Sequence, residues 1–118
     1  MLKRSYNSFI FACRGVKTTW KEEHQFRIEI SATVLVFLGL FYFHFTLLES
    51  ALCVFAITLV LSAEIINTAL EDLCNKVEPH HDTTIGKIKD TAGAFVMVTV
   101  IGAVIVGLLV FYNHFLSK

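Results

Sequence analysis

Apolar residues run along this chain in blocks with two different rhythms. In the first block Leu2, Tyr6, Phe9, Cys13, Val16 and Trp20 recur at three- and four-residue steps, the spacing of one helix face. Lys3, Arg4, Arg14, Lys17 and Lys21 fill the other faces. A basic helix with one apolar stripe suits a membrane surface, with Trp20 at the interface. The later blocks are apolar all round. Residues 30–48 carry no charge apart from His44, a third block begins at Ser50, and residues 91–117 hold no Asp, Glu, Lys or Arg. Runs of that length cross a bilayer. The pattern predicts an all-α membrane protein of one domain, residues 1–118: a surface helix over 1–24 and membrane helices over 28–48, 50–76 and 90–115.

The second span is the informative one. Its unbroken apolar part, residues 51–63, makes about 20 Å of helix against a hydrocarbon core of about 30 Å. To cross, the helix has to continue to about Leu70, which draws Glu64 and Asn67 into the leaflet. Glu71 then sits about 10 Å further along the axis than Glu64. At roughly 100° per residue Glu64, Asn67 and Glu71 share one face. Ionisable groups at that depth are costly and mark a functional site by default. Pro79 marks the following turn, and residues 78–84 form a polar loop with His80, His81 and Asp82. In the third span Ala92, Gly93, Ala94, Gly102, Ala103 and Gly107 let helices approach closely.

Composition agrees with this reading: 55% of the 118 residues are hydrophobic, too many for an ordinary soluble fold. Net charge is zero, so the information lies in where the charges stand, and no nucleic-acid partner is expected. Nine of the ten basic residues precede the first span or lie between the second and third. With three spans both groups share one side, which the positive-inside rule makes cytoplasmic. Residues 1–27 lack the pure apolar stretch of a cleavable leader. Cys13, Cys53 and Cys74 are isolated and odd in number, which argues against structural disulfides or a zinc site.

The polar groups converge on the cytoplasmic boundary. Glu23 and Arg27 are placed on one helix face just before the first span, level with Glu71, Asp82, Lys89 and Asp90. Two carboxylates there suit Mg²⁺, which takes one or two carboxylates plus phosphate oxygens and water. Glu64, deeper in the leaflet, suits a general base on a lipid hydroxyl. Phosphoryl transfer from a cytoplasmic nucleotide to an acceptor in the membrane fits this layout. The soluble kinase signatures are missing. A small ion or proton conduit through Glu64 is the rival reading. It needs a polar lane, and the far halves of the spans are expected to add only His44 and His114. Adjacent His80 and His81, without a further spaced histidine, are a poor transition-metal site.

The run Glu64-x-x-Asn67-Thr68-Ala69-Leu70-Glu71, followed by Lys89-Asp90-x-Ala92-Gly93-Ala94, resembles the prokaryotic diacylglycerol kinase and undecaprenol kinase family. Gly15, Trp20, Glu23, Phe26, Arg27 and Glu29 extend the resemblance upstream. It implies a homotrimer with active sites between protomers, ATP and Mg²⁺ as co-substrate and cofactor, and a lipid alcohol as acceptor. Diacylglycerol is the first expectation and undecaprenol the alternative. By position it implies Glu64 as proton acceptor, Glu23 and Glu71 as metal ligands, and Asn67, Lys89 and Asp90 at the nucleotide. Arg4 is implied at both substrates, and Gly93 with Glu64 at the lipid. The sequence departs from the family in the loop, where His80-His81-Asp82 replaces a Glu-Tyr-His-like run; these residues are still expected against the nucleotide.

Overall fold

The computed structural model describes residues 1–117. Four α-helices follow one another: α1 (Leu2–Glu22), α2 (His24–Tyr42), α3 (Leu47–Val77) and α4 (Thr83–Phe111), the last running into a π-helical turn, Tyr112–Leu116. The described residues contain no strand. Helices α2, α3 and α4 with its π turn are each long and apolar enough to cross a membrane, and they leave Leu35, Phe41, Phe55, Val98 and Leu108 exposed. Apolar surface on that scale belongs against lipid or protein. The fold is thus an amphipathic helix followed by three membrane helices.

Helix α1 stops at Glu23, whose backbone is extended (φ −111°, ψ 107°). Arg27 secures the corner: its Nη1 donates to the Trp20 carbonyl at 2.7 Å and the Lys21 carbonyl at 3.2 Å, satisfying acceptors that a helix end leaves open. Glu23 and Arg27 do not share one helix face as expected. Glu23 is the break between two helices, not a member of either, so its carboxyl points elsewhere. The corner is pinned by buried Thr19 and Phe26.

At the other end of α2 the chain reverses through a Schellman turn. The Phe45 amide donates to the Leu40 carbonyl at 3.1 Å and the His44 amide to Phe41 at 3.4 Å, with His44 at φ 55°, the left-handed position such a turn requires. Thr46 and Glu49 then open α3 with a reciprocal capping box, at 3.1 Å from Glu49 N–H to Thr46 Oγ1 and 2.9 Å from Thr46 N–H to Glu49 Oε1. Glu49 stands beside His44 and His114 at this far end, so the reading that admitted only the histidines there is corrected.

Helix α3 touches all the other helices and packs chiefly on α4. Its buried residues are Glu49, Cys53, Ala56, Val60, Ala63, Glu64, Asn67, Thr68 and Cys74. Their three- and four-residue steps trace one stripe. The middle of that stripe is small and apolar; the two ends are polar.

Candidate active site at the carboxylate end of α3

One turn carries Glu64, Asn67 and Thr68 inward, with Glu64 only 4% exposed. The Thr68 hydroxyl donates back to the Glu64 carbonyl at 2.9 Å. Four residues on, Glu71 Oε1 accepts from Asn67 Nδ2 at 3.2 Å. That bond fixes the Asn67 amide, leaving its Oδ1 buried without a partner. The α1–α2 break aims Glu23 at the same place. Its carboxyl is pushed up to about 7, first by burial and then by the facing Glu71, Glu64 and Glu22 carboxyls. Glu22, next to it, is also raised, first by its facing Asp72. Acids thus crowd one level with little basic compensation, an arrangement that stores repulsion until a cation or proton enters.

Three site features were not assigned from sequence. Glu29 of α2 faces Glu64, and both its carboxyl oxygens are buried without a hydrogen-bond partner. Its only sequence signal is its place in the resembled upstream run. Beside it opens an apolar crevice of about 280 Å³ lined by Gln25, Thr33, Val36, Val60 and Val104 among others. The acid pair Glu22 and Asp72 extends the acidic level. Asn75 lies one turn beyond Glu71, where helical spacing would have found it. Its Oδ1 accepts from Lys89 Nζ at 2.6 Å, aiming the ammonium along the α3–α4 groove.

The other expected residues are more scattered. Asp82 is the N-cap of α4, its Oδ2 accepting the Ile85 amide at 2.9 Å. His80 turns back on Glu78, Nδ1 to Oε1 at 3.2 Å, while His81, Asp90 and Gly93 are exposed. Arg4 is exposed too, about 27 Å of helix before Glu22. Within one protomer the structure brings together Glu23, Glu64, Asn67 and Glu71, with Lys89 on the neighbouring helix. It does not bring Arg4 to them.

The described residues contain no group of three or more His, Cys, Asp or Glu close enough to hold a metal. Glu23 and Glu71 nevertheless fit Mg²⁺: both donors are hard oxygens, they face each other without a cation, and Mg²⁺ needs only one or two carboxylates when phosphate and water complete its shell.

The prokaryotic diacylglycerol kinase family model matches residues 10–111. The chain belongs to that family. It is 26% identical over 105 residues to a diacylglycerol kinase of Escherichia coli strain K12, covering 89% of this chain and 86% of that protein. It is 29% identical over 110 residues to an undecaprenol kinase of Bacillus subtilis strain 168, covering 93% and 89%. A diacylglycerol kinase of Haemophilus influenzae is 27% identical over 107 residues, covering 89% and 91%. This chain is therefore a lipid kinase, a membrane-embedded transferase.

Proposed function

We propose that this lipid kinase transfers the γ-phosphoryl group of ATP, with Mg²⁺, to the primary hydroxyl of a membrane lipid, diacylglycerol before undecaprenol. The observation that carries the reading is the convergence of Glu23, Glu64 and Glu71 at one end of α3, with the buried Asn67 oxygen free among them. Glu64, the deepest of the three, accepts the hydroxyl proton. Glu23 and Glu71 would hold Mg²⁺, which would supply positive charge to offset that of the phosphates. Asn67 orients Glu71 by the 3.2 Å bond. Lys89, held by Asn75, lies toward the phosphates, with Asp90, His80, His81 and Asp82 along the nucleotide. The lipid enters sideways, Gly93 leaving the surface of α4 open for it: a Cβ there would meet nothing within 4 Å.

Arg4 supports a site shared between copies. About 27 Å of helix separates it from Glu22 in its own protomer, so contact with substrate calls for α1 of a neighbouring subunit, as in a homotrimer. The placement of the basic residues supports a cytoplasmic acidic end, and the bacterial relatives support the bacterial inner membrane as its setting. Undecaprenol remains the second acceptor because the Bacillus subtilis relative carries that name at similar identity.

The test uses purified protein in mixed micelles with labelled ATP, Mg²⁺, and either diacylglycerol or undecaprenol. Label should pass to diacylglycerol faster than to undecaprenol. Faster labelling of undecaprenol would reverse the order of acceptors, and no labelling of either would sink the reading.

A further inference from the structure

At the end of the bundle opposite the acidic site, Glu49 is 4% exposed yet fully bonded. Its Oε1 accepts from the Thr46 amide at 2.9 Å and lies 3.1 Å from His114 Nδ1, while Oε2 accepts from Asn113 Nδ2 at 3.0 Å. The other ring nitrogen, His114 Nε2, lies 3.0 Å from the Phe43 carbonyl. Phe45 stacks flat on the imidazole, with centroids 3.9 Å apart and planes at 11°, and Phe115 closes its edge at 4.7 Å. Four segments therefore meet on one ring: the end of α2, the turn, the start of α3 and the π turn after α4.

The hydrogen-bond count fixes the chemistry. A carbonyl oxygen only accepts, so Nε2 must carry a proton. Donors converge on both Glu49 oxygens, the surroundings of an ionised carboxylate, which is also an acceptor only. One proton has to lie between Nδ1 and Oε1. With the Thr46 and Asn113 amides already donating to the two oxygens, the group is better solvated as a carboxylate with the proton on the ring. A ring with protons on both nitrogens is an imidazolium. We propose that Glu49 and His114 form a buried ion pair whose proton clasps the far ends of all three membrane helices. Taking that proton away sets a ring lone pair against either a carboxylate or a carbonyl oxygen. The ring then loses one of its two bonds, either the one to Phe43 that ties the end of α4 to α2 or the one to Glu49, where Asn113 is left as the remaining tie to α3. The other titratable group facing Glu49 is the Cys53 thiol, one turn along α3; α2 contributes the Phe43 carbonyl and the π turn contributes Asn113.

The pairing matters because one-sided truncation of a buried ion pair leaves an uncompensated partner, whereas removing both does not. Unfolding of the intact protein in micelles, compared among wild type, Glu49→Gln, His114→Gln and the double variant, should show it. Each single change is expected to raise the unfolding constant at least tenfold, and the double variant to cost at least tenfold less than the product of the singles. Strict additivity would overturn the proposal. Nitrogen NMR of the His114 ring in the wild-type protein gives a readout that needs no variant. At pH 6 both ring nitrogens should be protonated. Raising the pH until one proton leaves should shift the amide signals of Phe43, Thr46 and Asn113 in the same step. A ring with one bare nitrogen at pH 6, or one that titrates without moving those amides, would refute the clasp.

Discussion

Replacing Asn67 with alanine tests the site most directly, because Asn67 makes one bond whose geometry is known. Its Nδ2 donates to Glu71 Oε1 at 3.2 Å, and its Oδ1 is buried with no protein partner. A hydrogen bond to a charged group contributes about 1.5–3 kcal/mol. If that bond serves to aim Glu71, losing it should lower kcat/KM by about 10- to 150-fold, at about 1.4 kcal/mol per tenfold. Thr68 is the control. It is equally buried on the same turn, but its hydroxyl serves only the Glu64 carbonyl, so Thr68→Val should stay within about threefold. The assay is initial-rate phosphorylation of lipid in mixed micelles over a range of Mg²⁺ concentrations. Asn67→Ala should also need more Mg²⁺ for half-maximal rate, because a loosened Glu71 is a poorer ligand. Equal loss in the two variants would mean that the turn is merely fragile. Full activity in Asn67→Ala would remove Asn67 from the mechanism.

Three further outcomes follow from the same geometry. Glu71→Gln should raise the Mg²⁺ requirement while Glu64→Gln lowers turnover with an unchanged Mg²⁺ curve; identical behaviour would deny the two acids different roles. Glu23 titrates at about 7 in the folded protein against about 4.3 for a free glutamate, so the folded state holds its proton more tightly. Its contribution to metal-free stability is then full below about 4.3 and lost as pH rises through about 7; unfolding at pH 5 and pH 8 should show a fall that Glu23→Gln reduces, and an undiminished fall in the variant would count against it. His44 adopts φ 55°, so His44→Gly should stabilise the protein by up to about 1 kcal/mol, the left-handed strain relieved exceeding the added chain entropy; a lower unfolding midpoint would contradict this.

The continuation of α3 past its apolar part and the shared face of Glu64 and Asn67 were legible because they follow from bilayer thickness and helical periodicity. Thirteen apolar residues cannot cross, so the helix had to run on through Glu64 and Asn67, and it continues to Val77. The α1–α2 corner was not legible in the same way. Nothing in the spacing of Glu23 and Arg27 says that the helix breaks at Glu23; that depends on Arg27 finding the Trp20 and Lys21 carbonyls. Glu29 was hidden for a related reason, since its meaning lies in facing Glu64 on another helix. The Thr46-x-x-Glu49 capping box, by contrast, is a local signature that was open to reading.

The two polar ends of the α3 stripe differ in a way that suits the proposed clasp at one and the proposed site at the other. Glu49 and Glu64 are equally buried, 4% exposed each, and both belong to the face that packs the bundle. Burial alone therefore does not mark function. What separates them is completeness: the Glu49 oxygens are met by three donors from two segments, the start of α3 and the π turn, whereas Glu64 faces the carboxyl of Glu29, whose own oxygens have no hydrogen-bond partner. A satisfied buried acid is held by the protein that surrounds it. An acid surrounded by acids is held only when something else arrives, and in the proposed reaction the arrivals would be a hydroxyl, a phosphate chain and the cation that accompanies it. The same helix can therefore fix its far end permanently while keeping its near end open to ligand, because the donors that would close the near end are left for the substrates to supply.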